Sequence, residues 1–270
     1  MIQANYGDSI LLSTVDWMGL SSAVLFLRGC PLRCPHCQNY NLQKGDNNVS
    51  VHNILRLLMK TKPDFSDNAS NIISPLEEAV RRVTAEPLVS AIILSGGEPL
   101  MQPEVIRALS PNAKNLGLKI GIETSGYYPN RLRELIKGGF LDKVFLDVKA
   151  ALRDPEYYKA TGMPNVAPKV LDSLRICMES SIPLEIRTTV FPEMPPISDV
   201  KEIAESIFAF KTKLPNHKFE SMVIQQGLPV NEEFEPITQV GLDNIAKSIE
   251  DLVNVMVRTT PKRKKSKRPN

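Results

Sequence analysis

Short apolar runs alternate with segments of helical periodicity along most of the chain. Ser22–Arg28, Val89–Ser95, Leu118–Glu123, Lys143–Lys149, Leu184–Val190 and Ser221–Gln225 are apolar, in several cases β-branched, and bounded by polar, Gly or Pro positions, which predicts six strands. Between them, Val51, Ile54, Leu55, Leu58 and Met59 fall at helical spacing behind Ser50 as an N-cap. Ser74-Pro75-Leu76-Glu77 supplies a capping box with Pro at the first helical position, ahead of Ala79, Val80 and Val83. Val200, Ile203, Ala204, Ile207 and Phe208 after Ser198, and Leu242, Ile245, Ala246, Ile249, Val253 and Met256, predict two more helices.

Strands alternating with helices imply right-handed βαβ units and a parallel sheet. Six units in 270 residues suit a single-domain, partial (β/α)6 TIM-type barrel better than a closed eight-fold one. The expected organisation is an N-terminal segment 1–16, a barrel 17–258 whose first crossover (46–87) is long, and a basic tail 259–270. In such a sheet the chemistry gathers where strands end, at the carboxyl face.

Composition narrows the class. At 42% hydrophobic and 23% charged residues, the chain reads as an ordinary globular protein. No apolar run approaches the roughly 20 residues that span a bilayer. Residues 1–8 lack a secretory pattern, and four cysteines are too few for a disulfide scaffold. The expectation is a cytoplasmic protein without a membrane partner. The net charge of +3 is unevenly spread: residues 261–270 hold six Lys and Arg and no acid, leaving the rest at −3. No aromatic residue lies among those charges, so the tail reads as a disordered, solvated extension rather than a grip on nucleic acid.

Three of the four cysteines fall within Cys30-Pro31-Leu32-Arg33-Cys34-Pro35-His36-Cys37, just past the first strand. Close spacing on a loop lets thiolates converge without ordering a long segment. Four would close an iron–sulfur or zinc site; three leave one metal position open to a small-molecule ligand. On the cysteines alone, a zinc knuckle completed by His36, His52 or Cys177 remains the alternative. Cys177, in a helical pattern with Leu171, Leu174 and Met178, reads as a buried core thiol.

C-x3-C-x2-C is the signature of radical S-adenosylmethionine enzymes, and the chain resembles that family. The resemblance implies a 4Fe-4S cluster on Cys30, Cys34 and Cys37 whose fourth iron chelates the amine and carboxylate of S-adenosyl-L-methionine. It also implies that His36, where the family usually has an aromatic residue, packs near the adenine. After the second strand comes Ser95-Gly96-Gly97-Glu98-Pro99. Two glycines allow a tight turn, and the carboxylate can accept hydrogen bonds from an ammonium group. In the family this GGEP loop holds the methionyl amine, which assigns Gly96, Gly97 and Glu98.

The third strand ends in Glu123-Thr124-Ser125-Gly126 and the fourth in Asp147-Val148-Lys149. By alternation Asp147 and Lys149 point the same way. From the residues alone, a surface salt-bridge patch and a binding site both stay open. Resemblance to glycyl-radical-enzyme activases implies that Glu123, Thr124, Ser125, Asp147 and Lys149 line the cofactor site. It also implies a monovalent cation on Glu123, Thr124 and Asp147, as in the pyruvate formate-lyase activase. Arg187, on the fifth strand beside Glu185, is either paired with an interior acid or placed for a cofactor carboxylate.

The run Val24–Asn39, with Leu27-Arg28-Gly29-Cys30 and Cys37-Gln38-Asn39, resembles activating enzymes of anaerobic ribonucleotide reductase and pyruvate formate-lyase. So does Asp154-Pro155-Glu156-Tyr157-Tyr158-Lys159 followed by Thr161-Gly162. The resemblance runs from about Trp17 to Gln226. It implies an oxidoreductase that takes an electron from a low-potential donor such as ferredoxin or flavodoxin. The cofactor is then cleaved to a 5′-deoxyadenosyl radical, which installs a glycyl radical on a partner such as anaerobic ribonucleotide reductase. Two alternatives stand beside it. One is a small-molecule member resembling 7-carboxy-7-deazaguanine synthase, a group that typically alters the cysteine loop. The other is a non-catalytic, metal-stabilised module gripping nucleic acid through the tail.

Overall fold

The computed structural model describes residues 2–59, 89–229 and 234–259. All six expected strands are present: β2 (Ser22–Leu27), β4 (Ala91–Gly96), β5 (Lys119–Thr124), β6 (Lys143–Asp147), β7 (Leu184–Val190) and β8 (Phe219–Gln226). Three more join them: β1 (Gln3–Ser13), β3 (Asn48–Ser50) and β9 (Val255–Arg258). The single sheet runs β3-β1-β2-β4-β5-β6-β7-β8-β9. From β2 to β9 every pairing is parallel, while β1 lies antiparallel to both β2 and β3. Among the described residues the partial barrel therefore has a seventh parallel strand beyond the six expected.

The two faces of the sheet hold different residues, as strand alternation requires. On the outer face Leu25, Leu27, Ile92, Leu94, Ile120, Ile122, Val144, Leu146, Ile186 and Ile224 form the main core with the helices. These helices are α1 (Val51–Met59), α2 (Pro103–Asn115), α3 (Pro129–Lys137), α4 (Glu156–Thr161), α5 (Ala167–Glu179), α6 (Ile197–Lys213) and α7 (Gln239–Lys247). The inner face carries a smaller cluster, in which Trp17 from the β1–β2 loop meets Val24, Ala91, Ile93 and Phe145. Trp17 and Phe145 pack edge to face at 5.5 Å. Toward the carboxyl ends of the central strands the inward positions turn polar or charged, at Ser95, Glu123, Asp147, Arg187 and Thr189.

Ser50 caps α1 as expected, its hydroxyl accepting from Asn53 N–H at 3.2 Å. Other expectations change. The helix predicted over Leu242–Met256 stops at Lys247, and Met256 lies on β9. The apolar spacing continues past that point, but the β-branched Val255 and Val257 flank Met256, and β8 offers a free edge to pair with; pairing overrides periodicity. Phe208, expected on the buried face of α6, is 45% exposed, whereas Val200, Ile203, Ala204 and Ile207 are buried. The sheet begins at Gln3 rather than at the expected boundary of 17, because β1 pairs along β2. Few of its positions are buried, which is why no apolar run marks it. The capping-box helix around Ser74–Val83 and the tail beyond Thr259 lie outside the described residues.

Candidate active site

A cavity of about 350 Å³ opens at the carboxyl ends of the parallel strands. Cys30, Cys34, Cys37, His36, Gly96, Gly97, Glu123, Ser125, Asp147, Lys149 and Arg187 all line it. Residues spread over more than 150 positions of sequence thus meet on one wall because each follows, or sits near the end of, a neighbouring parallel strand. Two sequence-predicted residues, Glu98 and Thr124, lie behind that wall, both buried.

The cysteine loop leaves β2 and is braced from three directions. Cys37 N–H donates to the Cys34 carbonyl at 3.3 Å, turning the loop between its last two thiols. Arg33 N–H donates to Thr161 O at 2.7 Å, so the end of α4 holds the middle of the loop. Tyr157 from the same helix is buried and its hydroxyl accepts from Lys149 N–H at 3.1 Å. The third brace is the glycine turn. Gly97 N–H donates to Leu27 O and Glu98 N–H to Gly29 O, both at 2.8 Å. Gly96 has φ +110°, and a Cβ there would strike the Leu27 backbone; a Cβ on Gly97 would strike the Gly29 carbonyl. The two motifs are therefore joined backbone to backbone.

Glu98 is surrounded by hydrogen-bond donors. Its Oε1 accepts from Thr124 Oγ1 at 2.7 Å and Leu100 N–H at 3.1 Å; its Oε2 accepts from Ser125 N–H at 2.9 Å and Ser125 Oγ at 2.5 Å. The carboxylate clamps the β4 exit to the β5 exit instead of facing the cavity. Burial still pushes its carboxyl above the usual range, against those four donors.

The charged wall is internally paired. Glu123 accepts from Ser95 Oγ and from Arg187 Nη1, each at 2.5 Å. Arg187 also donates to Glu185 Oε1 at 2.8 Å and to the Asp16 carbonyl at 2.5 Å, and lies 4.1 Å from the Phe145 ring centroid. Of the two readings of Arg187, pairing with interior acids is the one its contacts describe. Burial pushes Glu123 up, but Arg187 and Ser95 outweigh it and hold the carboxyl below the usual range. Asp147, 31% exposed, faces Lys149 at 3.4 Å. Burial works against the charge of Lys149, yet Asp147 and Cys34 raise its pKa above that of an ordinary lysine, so it stays protonated.

The three residues named for a monovalent cation are each already partnered. The Thr124 hydroxyl donates to Glu98 and accepts from Gly126 N–H, both Glu123 oxygens accept hydrogen bonds, and Asp147 has Lys149 beside it. The zinc-knuckle alternative finds no matching arrangement. Cys177 is buried in the core on α5, His52 is exposed on α1, and among the described residues no three His, Cys, Asp or Glu are placed to share one metal ion. Three free thiols on one cavity wall suit a cluster that takes each thiolate on a different iron. Burial pushes the metal-free Cys30 thiol up to about 12; a metal centre would hold it as thiolate instead.

Contacts in and behind the wall add partners from distant parts of the chain. His36 stacks at 4.4 Å on Phe191, from the loop after β7, with Phe234 edge-on at 5.5 Å. Asn39 Nδ2 reaches Gly96 O at 3.4 Å, and Gln102 ties Asn5 O and Arg28 O together at 3.2 and 3.0 Å.

The Radical SAM superfamily model matches residues 24–207, so the chain belongs to the radical S-adenosylmethionine superfamily. That membership brings with it a 4Fe-4S cluster and S-adenosyl-L-methionine. A candidate glycyl-radical enzyme activating enzyme of Methanocaldococcus jannaschii is 28% identical over 255 residues, 92% of this chain and 93% of that one. The pyruvate formate-lyase-activating enzyme of Staphylococcus epidermidis is 28% identical over 226 residues, 80% of this chain and 78% of its own. Among solved structures, TYW1 with a lysine-pyruvate adduct shares the fold, with a TM-score of 0.55 at 14% identity, covering 86% of this chain and 75% of that one. Among the described residues no helix is long and apolar enough to cross a membrane.

Proposed function

We propose that this radical S-adenosylmethionine enzyme activates a glycyl-radical enzyme, with anaerobic ribonucleotide reductase as the partner. The observation that carries the reading is similarity to an activating enzyme over nearly the full length of both chains. The uninterrupted C-x3-C-x2-C loop supports it, as does the run from Leu27 to Asn39.

In this reading Cys30, Cys34 and Cys37 hold the cluster. When bound, cluster and cofactor supply one-electron cleavage of a sulfonium to methionine and a 5′-deoxyadenosyl radical, which takes a hydrogen atom from a glycine. The protein contributes position, charge and exclusion of water. Gly96 and Gly97 bring bare backbone to the cluster loop, Lys149 offers a protonated donor for a carboxylate, and Glu123 and Asp147 offer acceptors for hydroxyls. Glu98, Thr124 and Arg187 act as positioning residues: the first two tie the glycine turn to Ser125, and Arg187 fixes Glu123. Ser125 completes the wall, and His36 with Phe191 presents a flat surface to a base. Leu32, Val148, Ala160, Met194 and Pro195 form the apolar part of the wall. Arg187 and Lys149 bring the positive charge that a monovalent cation would add. Because β1 pairs with β2, segment 1–16 belongs with the sheet that carries the site. Free, partly exposed thiols suit a reducing cytoplasm.

Anaerobic reconstitution followed by iron and sulfide analysis, with a cofactor-cleavage assay, tests the chemistry. Cys34→Ala is expected to lose the cluster and cleavage, whereas Cys177→Ala keeps both. Zinc in place of about four irons, or no 5′-deoxyadenosine with a strong reductant, would sink the radical reading. Electron paramagnetic resonance of the mixture with an anaerobic ribonucleotide reductase then tests the partner; cleavage without a glycyl radical points to another substrate.

A further inference from the structure

Behind the cysteine loop, on the side away from the cavity, the described residues present two cations that no acid neutralises. Arg131 on α3 lies 4.5 Å from the Tyr128 ring centroid, and Lys169 on α5 lies 3.6 Å from that of Tyr127. The two rings meet edge to face at 4.9 Å, so cation, ring, ring and cation form one continuous row. Arg131 also donates to the Leu100 and Met101 carbonyls at 2.8 and 3.3 Å, which locks the row onto the turn after Glu98. Nearby cations differ in their partners: Arg107 of α2 pairs with Glu134 of α3, Arg175 pairs with Asp172 on α5, and Arg133 donates to Asn130 Oδ1. Arg131 and Lys169 have none among the described residues, in a chain whose charge outside residues 261–270 is −3.

We propose that this face, formed by Met101, Tyr127, Tyr128, Arg131 and Lys169, docks an acidic one-electron carrier protein that reduces the cluster. The inference rests on the radical reading above. The row adjoins the cluster loop: the Met101 Sδ and Cε stand 3.4 Å from the position a Cβ on Gly29 would take, next to Cys30. Tyr128 is within electrostatic reach of Cys30; burial raises its hydroxyl pKa, with Glu98 and Cys30 adding to the rise against Arg131. None of the five lines the cavity, so the face stays open while cofactor and glycine substrate occupy the other side. Its composition also matches what binding surfaces use. Met101, 38% exposed, gives adaptable apolar contact area beside two stiff aromatic rings, and the stacked cations give steering and register. In the step itself the carrier loses one electron and the cluster gains one; no bond or proton moves.

The test measures binding of an oxidised, acidic flavodoxin to the reconstituted full chain by calorimetry, at low and high salt. Lys169→Glu and Arg131→Gln are compared with wild type and with Lys201→Glu on α6. Lys169→Glu is expected to weaken binding about tenfold at low salt and much less at high salt, with Arg131→Gln weaker than wild type and Lys201→Glu unchanged. Cofactor cleavage driven by dithionite, which needs no docking, should match wild type in all three variants. Equal affinity in wild type and Lys169→Glu, or equal weakening in Lys201→Glu, would overturn the proposal, as would no binding by wild type. Failure of dithionite to drive cleavage in wild type would strike the radical reading instead and take this inference with it.

Discussion

Two carboxylates a few residues from a glycine or threonine look alike in a sequence, yet Glu98 and Glu123 end in opposite roles. Glu98 is enclosed by four donors and joins two strand exits; Glu123 stays at the cavity wall, held by Ser95 and Arg187. The cysteines were legible because their function depends on spacing along one short loop. The fate of each acid was not, because it depends on which donors other strands bring. Paired acids make a specific expectation about salts. Cofactor affinity should be the same in sodium, potassium or a bulky organic cation at equal ionic strength, since Arg187 and Lys149 already neutralise the acids. A loss of affinity on replacing small cations by the bulky one, measured by equilibrium binding, would show that a cation site exists after all. Lys149→Met should make affinity fall, because a carboxylate would then face Asp147 without an intervening positive charge.

At the scale of elements, the β2 and β4 exits behave as one piece. Each motif taken singly predicts a loop; together they form a backbone junction at Leu27, Gly29, Gly96 and Gly97. Gly97→Ala would push a methyl into the Gly29 carbonyl and displace the loop that carries Cys30. The expected result is loss of cluster iron after reconstitution, with far-UV circular dichroism close to wild type, since the collision lies beyond the ends of both strands. Retention of full iron content would show that the junction is not needed. The six expected strands were readable because short apolar runs mark their outer faces, such as Leu25 and Leu27, Ile92 and Leu94, or Ile120 and Ile122. β1 and β9 were not: β1 is mostly half-exposed, and β9 follows an apolar spacing that is also helical. Their place in the sheet depends on the edge that β2 and β8 offer them.

Across the whole molecule, a band of charge runs through the inside of the barrel. Lys143, buried, donates to Glu185 at 3.0 Å and Glu220 at 2.7 Å; Glu185 holds Arg187, which holds Glu123. Burial pushes Glu185 up, but Arg187 and Lys143 outweigh it and hold its carboxyl below the ordinary 4.5. A lowered folded-state pKa means stability that is fully present above the unfolded value and lost as pH falls through the folded one. Glu98, raised, works in the opposite direction: its contribution is present below its unfolded value and fades as pH rises through the folded one. Thermal melts between about pH 3 and pH 7 should therefore show wild type losing stability below about 4.5, and Glu185→Gln with a shallower acid limb. Near neutrality the variant should be less stable by about 3–5 kcal/mol, since Lys143 and Arg187 lose a buried partner. An unchanged acid limb would mean that other carboxylates carry it.

By itself the sequence determined everything that depends on neighbours along the chain. The thiol spacing, the paired glycines, the alternating strands and the superfamily they signal are all local patterns, imposed by backbone geometry and covalent connection. Only the tertiary structure decided which side chains meet across strands: His36 with Phe191, Glu98 with Ser125, Arg187 with Asp16, Arg131 with Tyr128. Those pairings come from the curvature and register of a parallel sheet, which bring strand ends distant in sequence to one rim. A charge seen alone in a sequence has no partner; folding supplies one, or, at Arg131 and Lys169, an aromatic ring in place of an acid.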